Sequence, residues 1–283
     1  PRLNRYCMVI QIFQTDPQKG DTPGNLDRLD PWVGETEADL VVLPELFASG
    51  YFFESSEQAH AVSEPVPDGP TTRRLEAWAR STGATIVAGL PERDGDAFYN
   101  AAVVVTPKGW LGTYRKTHLY YEETLHFTPG DTGFCVWTVT DRSGKRSYRL
   151  GVMVCFDWFF PESARSLALA GADVIAHPSN LVLPHCPAAM PIRALENGVF
   201  TATANRVGTE SNGRESLTFV GQSRICSPRA EVLATAGTAE VASVEATIDP
   251  REARVTQLNP YNDRIASRRG DHYLRVPRTT AER

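Results

Sequence analysis

The chain of 283 residues has no apolar run near the roughly 18 residues that a membrane span needs. Its beginning also lacks the charged-then-apolar pattern of a secretory leader. Positive charge is not in surplus: 29 Lys and Arg stand against 34 Asp and Glu, a net charge of −5, with no basic stripe. That balance argues against a nucleic-acid partner. Cysteine is sparse, and its five positions (Cys7, Cys135, Cys155, Cys186, Cys226) are odd in number and widely spaced, with no Cys-x-x-Cys. Neither a disulfide framework nor a zinc site is expected, and a reducing, cytoplasmic address is. No internal repeat, low-complexity segment or long linker divides the chain. What is present is 41% hydrophobic and 22% charged residues, the balance of a globular protein with a substantial core. We read one domain over residues 1–283, with 254–283 as a polar, basic tail.

The apolar pattern alternates strands with helices, hence an α/β fold. Met8–Phe13, Leu40–Leu43, Thr85–Ala88, Leu150–Val154, Ala172–Ala176 and Thr201–Val207 read as strands, most of them buried on both faces. Ala101–Val105 and Leu111–Tyr114 flank Pro107-Lys108-Gly109 as a hairpin. Further hairpin-like strands are expected near Ser216–Cys226 and Val241–Asp249, with Ser227-Pro228-Arg229 as a turn. Helices are expected over Asn25–Glu37 (broken at Asp30-Pro31), Thr71–Ser81, from Pro161 onward, and Met190–Phe200. Phe47–Phe53 reads as a loop that exposes aromatics after Gly50.

Three reactive residue types share one setting, each just after a predicted strand: Glu45, Lys116 and Cys155. Strand ends in parallel sheets converge on one crevice. There a carboxylate can take a thiol proton, an ammonium can hold an oxyanion, and a thiolate can attack a carbonyl carbon. Taken singly, each also fits a bland role: loop acid, solvated base, packed thiol. His118 and His177 raise the rival of a Cys–His hydrolase, but that would leave Glu45 and Lys116 idle, and both read better as scaffold.

The local words are more specific than the residue types. Leu-Pro-Glu45-Leu-Phe, Tyr-Arg-Lys116-Thr-His-Leu and Gly-Val-Met-Val-Cys155-Phe-Asp-Trp-Phe-Phe-Pro-Glu162 resemble, in order and spacing, the three signature segments of the nitrilase superfamily of carbon–nitrogen hydrolases. Tyr99-Asn100-Ala-Ala-Val-Val, Phe127-Thr-Pro-Gly130-Asp, His177-Pro178 and Arg193-Ala-Leu-Glu196-Asn197 extend the resemblance from about Met8 to Asp249. It implies a four-layer α-β-β-α sandwich with a Glu45–Lys116–Cys155 triad. It also implies a second glutamate, placed on Glu123 over its neighbour Glu122 only by counting back from Pro129-Gly130. The backbone N–H of Phe156 is implied as an oxyanion donor, with the thiolate favoured by Lys116 and the following helix N-terminus. No metal and no organic cofactor is implied.

The substrate is less legible. Cys155-Phe156-Asp157 differs from the Cys-Trp-Glu of true nitrilases, so a small aliphatic amide is expected first, a nitrile second and an N-carbamoyl amine third. Tyr51, Trp158 and Asn180 are the candidate pocket residues, with Phe52, Phe53 and Phe159 as further aromatics and Arg193 and Arg206 as possible carboxylate binders. A homodimer or higher homo-oligomer is expected, with Asn259–Arg275 reaching a neighbouring subunit. A catalytically silent binding scaffold is the reading from another class.

Overall fold

The computed structural model describes residues 6–273. Its first strands are β1 (Met8–Gln14), β2 (Leu40–Val42), β3 (Thr85–Asp94), β4 (Ala97–Thr106) and β5 (Gly109–Arg115). Then come β6 (Val136–Thr140), β7 (Ser147–Val152), β8 (Val174–Pro178) and β9 (Phe200–Ala204). The last are β10 (Thr209–Ser211), β11 (Ser216–Thr218), β12 (Arg224–Cys226), β13 (Val232–Thr235), β14 (Ala242–Ile248), β15 (Gln257–Asn259) and β16 (Asn262–Asp263). The helices are α1 (Thr22–Val33), α2 (Ser56–Ala61), α3 (Pro70–Thr82), α4 (Glu123–His126), α5 (Pro161–Leu169) and α6 (His185–Asn197). Among the described residues no helix is long and apolar enough to cross a membrane.

Two six-stranded sheets carry the fold, ordered β14-β1-β2-β3-β4-β5 and β13-β12-β9-β8-β7-β6. In each, three parallel strands form the centre (β1, β2, β3 and β7, β8, β9) and antiparallel strands flank them. Alternation then sorts the side chains. Ile10, Ile12, Leu40, Val42, Val87 and Val104 face the second sheet and share one core with Leu150, Val152, Val174 and Ala202. Phe13, Val41, Leu43, Ile86, Ala88 and Val103 point the other way, against Leu26 and Leu29 of α1 and Leu75, Trp78 and Ala79 of α3. Helices α5 and α6 cover the second sheet through Ala164, Leu167, Met190 and Ala194. The result is the four-layer α-β-β-α sandwich.

Several expectations shift. The first helix begins at Thr22, where the Asp21 side chain accepts from the Gly24 N–H, and continues through Pro31 to Val33. Val232–Thr235 is a strand with no counterpart in the sequence reading, because its residues are largely exposed on a sheet edge and do not alternate. The stretch Ser216–Cys226 divides into β11 and β12, which belong to different sheets. The aromatics of Phe47–Phe53 are buried: Phe47 packs under α1 and α3, while Tyr51, Phe52 and Phe53 form a separate cluster with Leu46, Phe127 and Phe219. The tail begins with a hairpin of β15 and β16 whose Tyr261 is 91% exposed. Leu274 and Arg275 of the expected subunit-reaching segment lie outside the described residues.

Candidate active site

Each of the three residues is presented by a tight piece of backbone. After β2 the chain turns at Pro44-Glu45-Leu46, with Leu46 in the left-handed region at φ 47°. Gly89 of β3 lies against this turn, its N–H bonded to the Pro44 carbonyl, and a Cβ there would stand 2.5 Å from the Glu45 Cα. Lys116 follows β5, its N–H bonded to the Asn100 carbonyl and its carbonyl to the Gly130 N–H. A Cβ on Gly130 would lie 2.0 Å from the Arg115 carbonyl oxygen, so only glycine lets this loop close on the lysine. Cys155 starts a one-turn 3-10 helix (Cys155–Phe159) between β7 and α5, itself at φ 41°. Left-handed backbone is costly for a side-chain-bearing residue and tends to mark functional sites.

Asp157 holds that elbow from behind. It is fully buried and accepts from the Tyr114 hydroxyl (2.7 Å), the Val154 N–H (2.9 Å) and the His118 N–H (3.1 Å), with the His118 ring at 2.7 Å. His177, in β8, meets the Cys155 carbonyl at 2.9 Å and Thr203 at 3.0 Å. Both histidines therefore brace the turn. Burial lowers the His177 pKa to about 4, leaving it neutral near pH 7.

The fully buried Lys116 Nζ lies 2.7 Å from Glu45 Oε1 and 2.7 and 2.8 Å from the two oxygens of Glu123. Those three contacts engage all the donors of an ammonium. Asn100 bridges the same carboxylates, its Nδ2 lying 2.7 Å from Glu45 Oε1 and 3.3 Å from Glu123 Oε2. The Tyr51 hydroxyl donates to Glu123 Oε1 at 2.6 Å. Glu122 faces elsewhere, towards Asn212 and Arg214, so Glu123 is the glutamate in contact with Lys116.

One ammonium between two carboxylates leaves a buried surplus of negative charge. Burial would lower the Lys116 pKa, but Glu123 and Glu45 outweigh it and hold the ammonium charged. Glu45 takes the surplus. Burial, opposed by Lys116 and reinforced by Glu123, raises its carboxyl to about 7. Burial and the Glu45 charge also push the Cys155 thiol well above its ordinary value, and Lys116 only partly offsets them. Lys116, expected to favour the thiolate, is outweighed by burial and Glu45, so the sulfur stands as a thiol beside a carboxylate that can take its proton.

Cys155 lines a mainly apolar cavity of about 100 Å³, with Phe156, Trp158, Tyr120, Asn180 and Leu181 among its walls. Phe159 also lines it and is 57% exposed. Asn180 donates to the Glu45 carbonyl at 2.9 Å. Tyr51, expected in the pocket, is not among its lining residues and stands behind Glu123 instead, with Phe52 and Phe53 in the cluster beside it. Arg193 bonds the Trp158 carbonyl and Glu196, and Arg206 is buried against Glu210 and Asp16, so neither is free for a substrate carboxylate. Asn100 and Asp157 both lie in the family-like motifs, and nothing local in the sequence assigns either of them these partners.

A family model described as carbon-nitrogen hydrolase matches residues 10–257. The chain is 49% identical over 269 residues to a protein named nitrilase from Pyrococcus abyssi (strain GE5 / Orsay), covering 94% of this chain and 99% of the relative. It is 35% identical to an (R)-stereoselective amidase from a Pseudomonas species, covering 91% of each. Among solved structures it is similar to an amidase variant from Nesterenkonia sp. AN1 that shows covalent addition of the acetamide moiety of fluoroacetamide at the active-site cysteine. The TM-score is 0.75 at 26% identity, covering 96% of this chain and 97% of the other. The chain belongs to the carbon–nitrogen hydrolase family, within the nitrilase superfamily.

Proposed function

We propose that the protein hydrolyses a small aliphatic amide to a carboxylic acid and ammonia, with Cys155 as nucleophile. The observation that carries this reading is the Glu45–Lys116–Glu123 cluster beside a thiol that lines an apolar cavity. Ionised Glu45 takes the thiol proton as Sγ attacks the carbonyl carbon. The π electrons move to oxygen, and the oxyanion is held by Lys116 and the Phe156 N–H. Because the ammonium's donors are already engaged, the oxyanion displaces one of the two contacts to Glu123. A pre-aimed donor of this kind is worth about 3 kcal/mol in other enzymes. Glu45 then passes its proton to the leaving nitrogen, and ammonia departs from a thioester. Water gives a proton to Glu45, attacks the thioester and expels the sulfur, which recovers the proton as the acid leaves.

Two buried acceptors favour an amide. Among the described residues, Glu45 Oε2 and Asn180 Oδ1 have no hydrogen-bond partner. A carboxamide brings N–H donors to them; a nitrile brings none. A nitrile is the second reading, favoured by the relative named nitrilase at 49% identity; it passes through a thioimidate on the same sulfur. The test is ammonia release from short amides, nitriles and N-carbamoyl amines, with Cys155→Ala as control. Amides are expected to turn over fastest and the control to be inactive. Turnover in the control removes Cys155 as nucleophile, and the mass of a trapped adduct separates thioester from thioimidate.

A further inference from the structure

The hairpin of β10 and β11 has only three residues in each strand and, among the described residues, pairs with no other strand. Such a ribbon is marginal alone, so what anchors it is informative. Lys19 bonds the Ser211 carbonyl at 2.5 Å and the Phe52 carbonyl at 3.1 Å, and the other strong anchors lead towards Glu123. Glu210 in β10 is buried, and its Oε2 accepts from the backbone N–H groups of Tyr51 (2.9 Å) and Phe52 (2.7 Å). Its Oε1 pairs with Arg206, which is 1% exposed. The Arg206 guanidinium lies 4.1 Å from the Phe219 ring centre, and that ring meets Tyr51 edge-on at 6.0 Å. The peptide and the ring of Tyr51 are thus both held from one side, while its hydroxyl reaches Glu123. At the hairpin tip, Asn212 and Arg214 bond Glu122 (3.0 and 2.7 Å), and Glu215 accepts from the Tyr121 hydroxyl (2.6 Å). Tyr121 is itself in left-handed backbone, two residues before Glu123.

We infer that this hairpin is a clamp on Glu123, and that Glu210 is a positioning residue acting through Tyr51. The chemistry gives the clamp a purpose. When the oxyanion accepts a hydrogen bond from the Lys116 ammonium, Glu123 loses one of its two contacts to that ammonium. The Tyr51 hydroxyl, held in place by Glu210, keeps Glu123 Oε1 paired and keeps the carboxylate from swinging away. Glu210 touches no reacting atom.

The inference rests on the reading of Glu45, Lys116 and Cys155 as catalytic, and one experiment separates the two. kcat and KM are measured against pH on a short substrate for wild type, Glu210→Ala, Tyr51→Phe and the double variant. Each single change is expected to lower kcat about tenfold or more while KM stays within about threefold. Each also moves the acid limb of kcat/KM to lower pH, because a displaced Glu123 no longer helps Glu45 hold its proton. The double variant loses no more than the worse single. Losses that multiply in the double variant, or a Glu210→Ala enzyme with wild-type kcat and acid limb, overturn the clamp. Should Glu210→Ala not fold because the Arg206 charge is stranded, the Arg206→Met, Glu210→Leu pair removes both charges and is judged in the same way. An inactive wild type, or an active Cys155→Ala, overturns the catalytic reading and the clamp with it. An active wild type with unaffected Glu210 variants overturns the clamp alone.

Discussion

Glu45 and Cys155 divide one proton between two buried groups, and the electrostatics decide which of them holds it. The thiol is pushed up by burial and by Glu45, while Glu45 sits at about 7, so the pair works only with Glu45 ionised. Turnover is therefore expected to fall about tenfold per pH unit once pH drops well below 7, read from a kcat/KM profile. The same shift has a consequence for stability. A carboxyl raised above its usual 4.5 stays protonated in the folded state where the unfolded chain is ionised. Its ionisation thus costs stability, a cost absent below 4.5 and complete above about 7. Glu45→Gln should raise the melting temperature at pH 8 and leave it nearly unchanged at pH 4, while abolishing turnover. Asp157 acts differently, through the elbow. Asp157→Ala strands the Val154 and His118 donors and releases a left-handed Cys155, and is expected to cost about 3 kcal/mol in urea melts and most of the activity.

Turns rather than strands set the site at the scale of elements. The β2 turn and the Lys116 loop each depend on a glycine neighbour that can come close, Gly130 being the sharpest case, and the Cys155 elbow depends on the Asp157 bonds. Gly130→Ala drives a methyl into the Arg115 carbonyl and is expected to cost about 1–3 kcal/mol and to lower kcat by moving Lys116. Gly270→Ala, with nothing within 4 Å, is the control that should change neither. Element identity was readable where apolar runs are long: β1, β2, the β4–β5 hairpin, α3 and the strand-to-helix passage at Cys155 stand where the pattern put them. The misses have local causes. Pro31 does not end α1, which has good burial at Leu26, Leu29 and Val33 to hold it. The aromatics after Gly50 looked exposed because a loop's own sequence does not reveal what packs over it.

At the scale of the molecule, two sheets with matching strand order and direction face each other, a duplication of plan that no sequence repeat announces. The proposed assembly into a homodimer or higher homo-oligomer belongs to this scale and is checked by light scattering, where a mass of a single chain would remove it. Part of the candidate site was written in the sequence. Glu45 and Cys155 each follow a short apolar run that becomes a buried strand end, whereas Lys116 follows β5, a half-exposed edge strand that was legible only as the second arm of a hairpin. The choice of Glu123 over Glu122 hung on a count, since adjacent acids are alike until the turn aims one at Lys116 and the other at Arg214. Asn100, Asp157 and Glu210 became meaningful only in three dimensions, because Glu123 lies 23 residues from Asn100, Tyr114 and His118 lie 43 and 39 from Asp157, and Tyr51 lies 159 from Glu210. The protonation states likewise belong to the folded molecule. Types and spacings name the groups, but burial and the company of other charges set their pKa, and neither exists until the sheets close over them.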